Sequence, residues 1–412
     1  MHRLPNLRAE SRARLFNHFE RASENVVSAN HLDAQALDHV GEYAVNLLRL
    51  AAGQPRDFGS ITHDAGDALL GILQDAVRTG EDRIHFRLQL QSDARERPDG
   101  RAKLEKHRQQ NRHLNHDGDG EMCIRDRDIG EERIRDMDST GVARQILSLT
   151  NPGVQIFDAA TGAALAISCN DQLAEAIRKH PDRFSGLAAI APQNPAAAAK
   201  ELERGVRKLG LKGAIVNSNT HGEYLDDPKF WDIFAAAESL NVPIYLHPST
   251  PSARMYAPFA EWGLEGAIYG FAVETSLHLL RIILSGVFDR FPKLRVVVGH
   301  LGEGLPYWFF RLDFFHRANV ASARYPNVKA LKKKPSDYLK ENVWVTTSGM
   351  AWEPPILYCQ KVLGMDRVLY AMDYPYQFVP EEVNVTDNLP ISAADKKKLY
   401  QSNAEKVFDL RS

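Results

Sequence analysis

Two histidines and one aspartate each follow an apolar run in the C-terminal two thirds of the chain. His247 ends the run VPIYLH, His300 ends LRVVVGH and Asp373 ends RVLYAMD. Neutral imidazoles and a carboxylate are ligands for a divalent ion such as Zn²⁺ or Mn²⁺. Taken singly, a histidine at a strand end is more often a hydrogen-bonded structural residue, and an aspartate there is commonly a helix cap. The three together at equivalent positions favour a metal site.

Seven apolar runs of strand length, alternating with helical patterns, position these residues. The runs cover 142–149, 184–190, 212–217, 242–247, 294–300, 343–348 and 367–373, and helices are predicted over 195–209, 228–240, 271–285, 303–316 and 354–363. Strands that are apolar on both faces and followed by helices indicate a parallel sheet covered by helices. The predicted fold is α/β, a TIM-barrel-like (β/α)8 arrangement whose first strand is either missing or supplied by an unrecognised segment upstream. If it is missing, the first and last runs have unpaired edges. The carboxyl ends of the strands, where such barrels carry their reactive residues, also hold Asn217 and Ser348.

The N-terminal part of the chain has a different composition. Residues 1–90 have enough helical and alternating spacing for a small α+β segment but carry no motif for chemistry. Residues 91–127 are almost devoid of apolar side chains, which predicts a disordered linker. The string MCIRDR at 122–127 resembles a peptide translated from sequencing-adapter DNA. We therefore expect residues 1–127 to be a foreign fusion to a barrel domain at 128–412.

Composition excludes several classes of protein. The 51 Lys+Arg and 53 Asp+Glu give a net charge of -2, which argues against a nucleic-acid binder. The three cysteines form no CxxC pair, so neither a disulfide framework nor a thiolate zinc site is expected. No apolar run is long enough to cross a bilayer and no signal-peptide core is found, so we expect a cytoplasmic protein without a membrane partner.

Motifs spread from about Ile129 to Leu410 resemble the amidohydrolase-related decarboxylases. They are YLHP at 245–248, VVVGHLGEGLPYWFFRLD at 296–313, TTSG at 346–349, AMDYPYQ at 371–377 and NAEKVF at 403–408. This is the group of aminocarboxymuconate-semialdehyde and o-hydroxybenzoate decarboxylases. Within it, VNSNTHGEYLD at 216–226 and GAIYGFAVETSLHLLRI at 266–282 are most similar to the 5-carboxyvanillate decarboxylases.

The resemblance implies a carbon–carbon lyase (carboxy-lyase) of aromatic compound catabolism. It implies metal-dependent, nonoxidative decarboxylation of an ortho-hydroxy or methoxy-hydroxy aromatic acid such as 5-carboxyvanillate, with Mn²⁺ or Zn²⁺ as the cofactor. By resemblance, His247 and Asp373 bind the metal, Asp373 also protonates the ring carbon, and His300 lies beside the metal. Phe271 and Tyr376 would line the aromatic site, although Phe271 could equally fill the core and Tyr376 could serve loop packing.

Two charged residues near His300 allow two interpretations each. By resemblance, Arg311 holds the substrate carboxylate or an adjacent oxygen. It could instead pair with Asp313 or with Glu303. Glu303 is expected near the substrate, either as the partner that orients His300 or merely as an acidic residue of a helix's first turn.

The family's first strand ends in a metal-binding pair, E-x-H or H-x-H, that is not found in this chain. The nearest string is NHFE at 17–20, which follows a charged, helix-like segment. His113, His116, Asp117 and Asp119 stand in the polar tract and are interpreted as a solvated loop. We therefore expect weakened metal affinity and weak or absent activity.

Two alternatives to a decarboxylase remain open. One is a hydrolase of an amide or lactone on the same barrel, in which the metal activates water. The other is an inactive remnant. Aromatic-rich segments favour a planar aromatic substrate, but they are also good packing.

The family resemblance also implies a homo-oligomer, a dimer or tetramer. The segment LPYWFFRLDFF at 305–315 could supply an interface, but we expect it to form a buried barrel helix.

Overall fold

The computed structural model describes residues 129–377 and 379–410. The strands are β1 (Gln145–Leu147), β2 (Phe184–Gly186), β3 (Ala188–Ala189), β4 (Ala214–Asn217), β5 (Pro243–His247), β6 (Arg295–Val298), β7 (Val343–Thr346) and β8 (Val368–Leu369). The predictions made for residues 1–127, including the α+β segment, the linker and the histidines at 113 and 116, lie outside the described residues.

Fourteen α-helices connect or follow these strands in the described part of the chain. They are α1 (Glu131–Ser139), α2 (Ala159–Lys179), α3 (Pro195–Leu209), α4 (Trp231–Leu240), α5 (Ala253–Ala260), α6 (Gly270–Leu284), α7 (Val287–Arg290), α8 (His300–Glu303), α9 (Phe309–Ser322), α10 (Pro335–Glu341), α11 (Glu353–Leu363), α12 (Glu382–Asp387), α13 (Ala393–Lys397) and α14 (Asn403–Phe408). Among them none is both long and apolar enough to cross a bilayer.

The strands form one parallel succession. β2 and β3 belong to one extended run: the N–H of Leu187 donates to the carbonyl of Leu147 at 2.9 Å, and the N–H of Ala188 donates to that of Gly213 at 2.8 Å. This run therefore lies between β1 and β4, and β4 to β8 follow side by side in chain order. The seven predicted strands and the TIM-barrel-like fold are confirmed. Within the described residues, β1 and β8 each pair on one side only, as expected.

Helix α3 shows how closely local signals fix an element. Its predicted bounds, 195–209, are confirmed. The side chain of Asn194 accepts the N–H of Ala197 and Pro195 occupies the first turn, while Gly210 ends the helix at φ 75°. A left-handed residue at that place favours glycine, which has no Cβ to clash.

The core leaves one end of the barrel to the functional site. A cluster inside the barrel joins strand residues such as Ile215 and Val297 to Val407 and Phe408 of α14. Lys212, just before β4, donates to the carbonyl of Asp409, so the C-terminal helix lies at the amino ends of the strands. The carboxyl ends are therefore free to present polar side chains.

The helix predicted over 303–316 is wrong in its start. The short element α8 is a left-handed turn over residues 300–304, not a regular α-helix. A 3₁₀ turn follows over Leu305–Trp308, and the long helix α9 begins only at Phe309. Gly302 and Gly304 permit the left-handed turn, which an apolar-spacing argument cannot detect.

The expected burial of segment 305–315 holds only for Leu305 and Pro306 and is wrong for the helix itself. No residue of α9 is buried. Tyr307 is 75% and Phe310 85% exposed, although Phe309 and Leu312 still pack on the core. The aromatic side chains of this segment therefore form a solvent-exposed face rather than part of the core.

Candidate active site

The carboxyl ends of three strands bring the predicted chemical groups together. His247 is the last residue of β5, His300 follows β6 by two residues, and Asp373 lies in the segment after β8. The Nε2 atom of His300 and the Oδ1 atom of Asp373 are 3.9 Å apart. His247 is near enough for the charge of His300 to contribute to the lowering of its pKa. The site therefore assembles from residues more than 120 positions apart in sequence.

A strained turn holds His300. Five successive residues have positive φ angles, namely His300 (47°), Leu301 (55°), Gly302 (77°), Glu303 (53°) and Gly304 (75°). A residue with a side chain pays about 1–2 kcal/mol for this conformation. The turn folds Glu303 back so that its Oε1 lies 2.6 Å from the Nδ1 of His300. Strain of this kind persists where surrounding contacts over-determine it, and it clusters at functional sites.

Glu303 controls the protonation of His300. Burial alone would lower the pKa of His300, but the hydrogen bond and charge of Glu303, together with the charge of Asp373, raise it above its usual value. The Glu303 side chain is only 3% exposed, so its charge is little screened. Glu303 and Asp373 therefore favour the imidazolium form of His300 more than solvent does for a free histidine.

His247 has the opposite tendency. Burial, and then the charge of His300, lower its pKa to about 4, so the ring is neutral at pH 7. Its Nδ1 lies 2.9 Å from the carbonyl oxygen of Pro248, which can only accept, so Nδ1 carries the proton. The lone pair of His247 consequently resides on Nε2, as in an imidazole that is ready to bind a metal ion.

Asp373 lies in a tight polar corner. Its backbone is left-handed at φ 58°. Burial raises the pKa of its carboxyl group, an effect that His300 partly offsets. A Cβ built on Gly349 would lie 3.2 Å from the His300 ring and 3.4 Å from Asp373 Oδ2. Gly349 thus allows this approach, a role that strand-end reasoning missed although its TTSG motif was noted.

Ser348, two residues after β7, supports the site. Its hydroxyl oxygen accepts the N–H of His300 at 3.4 Å and lies 2.7 Å from the Thr346 hydroxyl. Thr346 Oγ1 in turn lies 3.3 Å from the hydroxyl of the largely buried Tyr245. Asn217 serves elsewhere, because its backbone N–H donates to Gln155 at 2.6 Å.

The structure does not bring every predicted site residue to this cluster. Arg311 is exposed on α9 with its guanidinium 4.8 Å from the Phe315 ring centre, and no described hydrogen bond or ion pair joins it to His300 or Asp373. Neither alternative partner holds Arg311: Glu303 pairs with His300, and Asp313 accepts from Ser336.

The two predicted lining aromatics are in different settings. Phe271 is half-buried in the first turn of α6. Tyr376 is 48% exposed in the turn after Asp373.

Comparison with known proteins agrees with the barrel fold. The model of a protein family described as Amidohydrolase matches residues 124–410. The chain belongs to the amidohydrolase family. The resemblance to its decarboxylase branch is confirmed by curated relatives such as the gamma-resorcylate decarboxylase of Polaromonas sp., which is 39% identical over 293 residues, or 69% of this chain and 88% of the relative.

Solved structures of decarboxylases are also similar to this amidohydrolase. The 5-carboxyvanillate decarboxylase of Novosphingobium aromaticivorans, complexed with manganese and 4-hydroxy-3-methoxy-5-nitrobenzoic acid, is 52% identical with a TM-score of 0.69, covering 70% of this chain and 82% of that one. The dihydroxybenzoic acid decarboxylase of Polaromonas sp., with bound manganese and 2-nitroresorcinol, is 36% identical with a TM-score of 0.68, covering 74% and 93%. The expected carboxy-lyase class is thus confirmed by the relatives.

The residues of this amidohydrolase fit a metal ion in part. The Nε2 lone pair of His247 and the Asp373 carboxylate are suitable donors for Mn²⁺. Across residues 129–377 and 379–410, no three His, Cys, Asp or Glu side chains are grouped as a complete metal-binding set. A metal held here would need further ligands from water, substrate or residues outside the described part of the chain.

Proposed function

We propose that this amidohydrolase catalyses the metal-dependent, nonoxidative decarboxylation of an ortho-hydroxy aromatic carboxylic acid such as 5-carboxyvanillate. The observation that carries the proposal is the approach of Asp373 to His300, 3.9 Å from carboxylate oxygen to Nε2, next to a neutral His247. The manganese and hydroxynitrobenzoic acid in the structure of a 52% identical relative support the same chemistry.

Decarboxylation without a redox cofactor depends on one proton. The ring carbon that carries the carboxylate accepts a proton, and the carbon–carboxyl bond then breaks. Its electron pair returns to the ring and CO₂ leaves. A hydroxyl group ortho to the carboxylate helps, because its oxygen lets the ring accept that proton. The site must therefore hold an acid against the ring plane.

Asp373 is the acid in this proposal, and His300 resupplies its proton. In the metal-free protein burial raises the pKa of the Asp373 carboxyl group above its usual value, whereas a bound metal ion would act in the opposite direction. Glu303 fixes the Nδ1 side of His300, so its Nε2 faces Asp373. After each turnover the imidazolium returns a proton to the carboxylate.

His247 and Asp373 would hold the metal, which we propose to be Mn²⁺. When bound, it would supply Lewis-acid stabilisation of the phenolate charge that develops on the substrate. Because the described residues supply an incomplete set of ligands, the expected metal affinity is weak, and activity should depend on excess Mn²⁺.

The substrate would lie against aromatic side chains. Phe271, at the start of α6, and Tyr376, in the turn after Asp373, are the proposed walls of this pocket.

A second copy of this chain is the proposed partner. Tyr307, Trp308, Phe310, Phe314 and Phe315 are between 45% and 85% exposed along the 3₁₀ turn and α9. An aromatic side chain offers about 150–250 Å², so this face exposes several hundred Å² of apolar surface. Patches of that size mark interaction sites. Arg311 lies on the same face, so its proposed contact with a substrate requires this association or a rearrangement of α9.

The proposal is tested by incubating the protein with excess Mn²⁺ and either 5-carboxyvanillate or 2,6-dihydroxybenzoate, and measuring CO₂ and the decarboxylated phenol. We expect CO₂ from at least one acid and none after chelation of the metal. Hydrolysis of amide or lactone substrates without CO₂ release would favour the hydrolase alternative. A folded protein that does neither would be an inactive remnant.

A further inference from the structure

A second buried polar cluster lies on α6, apart from the groups assigned so far. Glu274 and His278 are both fully buried, one helical turn apart. Hydrogen bonds connect these two side chains to the loops that follow β4 and β5. The proposed chemistry does not use them. Burying a carboxylate destabilises a protein unless hydrogen-bond donors satisfy it. The donors around Glu274 therefore indicate what it holds in place.

Four donors converge on the Glu274 carboxylate. Its Oε1 accepts the Asn219 amide at 2.8 Å and the Ser218 hydroxyl at 3.4 Å. Its Oε2 accepts the Tyr224 hydroxyl at 3.1 Å and the backbone N–H of Ser252 at 3.3 Å. A carboxylate that only accepts matches four donors, whereas an amide in its place would turn an N–H₂ group toward two of them.

His278 completes the cluster from the next turn. Its Nε2 accepts the N–H of Leu225 at 2.9 Å, so Nδ1 carries the proton and donates to the Ser218 hydroxyl at 3.3 Å. Ser218 is 1% exposed and left-handed at φ 39°, a costly conformation for a serine. The loop after β4 is thus pinned by contacts that outweigh its own preference.

The loop after β4 is hydrogen-bonded to the segment that follows His247. The Asn219 amide that bonds Glu274 also donates to the Thr250 carbonyl at 3.2 Å. Glu274 therefore holds the segment both at Thr250, through Asn219, and directly at Ser252. That segment begins at Pro248, whose carbonyl fixes the Nδ1–H of His247.

We infer that Glu274 is a positioning residue that fixes the loop after β5 and, through Pro248, directs the Nε2 of His247 toward the metal. This inference rests on the proposed function in one respect, the metal. The same helix carries Phe271 one turn earlier, so Glu274 also anchors one proposed wall of the substrate pocket. Glu274 thus supports two proposed parts of the site, the metal ligand His247 and the aromatic wall at Phe271, while touching neither substrate nor metal itself.

The test compares E274Q with E201Q in the full chain. Glu201 is a matched control: it is 7% exposed, accepts from Asn170 at 2.7 Å and pairs with Arg204, on helices α2 and α3. Two measurements are made. Amide hydrogen exchange over residues 249–252 is followed in metal-free protein, and Mn²⁺ affinity is measured from free Mn²⁺ by electron paramagnetic resonance.

E274Q should exchange the Ser252 amide at least tenfold faster and bind Mn²⁺ about 10–100-fold more weakly, the range for lost support of a metal ligand. E201Q should change neither. If E274Q does not fold, N219A carries the test, since it removes the amide shared by Thr250 and Glu274.

Exchange and Mn²⁺ affinity that match the wild type in a folded E274Q or N219A would overturn the inference. If E274Q loses only as much thermal stability as E201Q, and its amide exchange and Mn²⁺ affinity stay unchanged, the inference is also overturned. Glu274 would then be a purely structural residue. Failure of the unsubstituted protein to bind Mn²⁺ or release CO₂ would count against the proposed function. Because the exchange measurement needs no metal, it still tests the hold on the loop.

Discussion

At the residue scale, the balance of charge between His300 and Glu303 governs the proton supply. Burial by itself would lower the pKa of His300, and Glu303 is the main group that raises it. Replacement of Glu303 with glutamine should therefore lower the pKa of His300 and reduce turnover near neutral pH. NMR titration of the histidine ring signals in metal-free protein measures the shift. An unchanged His300 pKa in E303Q would contradict this account.

Asp373 is the residue on which the reaction depends most. Asp373→Asn removes the proposed acid while keeping the size of the side chain. We expect CO₂ release to be abolished, with binding of a substrate analogue such as 4-hydroxy-3-methoxy-5-nitrobenzoic acid partly retained. Calorimetric binding and CO₂ release measure the two effects. Normal turnover by D373N would refute the assignment.

Residue types at strand ends predicted much of this cluster. Parallel strands bring their carboxyl ends to one edge, so His247, His300 and Asp373 could be placed together before any coordinates. The same argument does not reach Arg311, because a helix after a strand can present its side chains to the barrel or away from it. Gly349 was also missed, since only the approach of two other side chains reveals its purpose.

At the element scale, the left-handed turn after β6 was not predictable from apolar spacing. The pattern over 303–316 is that of one helix, whereas positive φ angles at five residues divide it. Two glycines in this turn provide a matched pair of substitutions. A Cβ on Gly302 would lie 2.9 Å from Val345, whereas one on Gly304 would meet nothing within 4 Å.

Both substitutions destabilise the protein by placing a side chain at positive φ. Only G302A also brings a Cβ too close to Val345. We expect G304A to lose about 1–2 kcal/mol of unfolding free energy. G302A should lose more and also slow turnover, because the turn carries His300. Urea unfolding and CO₂ release measure both. Equal losses in the two variants would show that Val345 does not constrain the turn.

At the scale of the whole molecule, the aromatic face of α9 should decide the state of association. Phe310 is 85% exposed, so aspartate in its place costs little in the single chain but opposes an apolar interface. Light scattering should show that F310D shifts the protein toward the monomer. W262D is the control, since Trp262 is 77% exposed in the turn after α5. An oligomer that survives F310D unchanged would contradict this interface.

Stability should fall on acidification because histidines are buried in the neutral form. Burial lowers the pKa of His278 to about 3, whereas in the unfolded chain it returns to about 6.5. The unfolded state thus binds the proton first, and the stabilisation present above pH 6.5 is lost toward pH 3, by up to about 1.4 kcal/mol per pH unit. Unfolding between pH 6.5 and 4.5 should show a shallower pH slope for H278N than for the wild type. Equal slopes would contradict neutral burial of this histidine.

The most direct test of the whole account is the fate of a carboxyl carbon. 5-Carboxyvanillate labelled with ¹³C in the 5-carboxyl group is mixed with the metal-free protein, and Mn²⁺ is then added in excess while NMR follows the label. The account predicts labelled CO₂ and one equivalent of vanillate only after Mn²⁺ is added, and neither product from D373N. Release at the same rate without metal, or none from folded protein saturated with Mn²⁺, would contradict it.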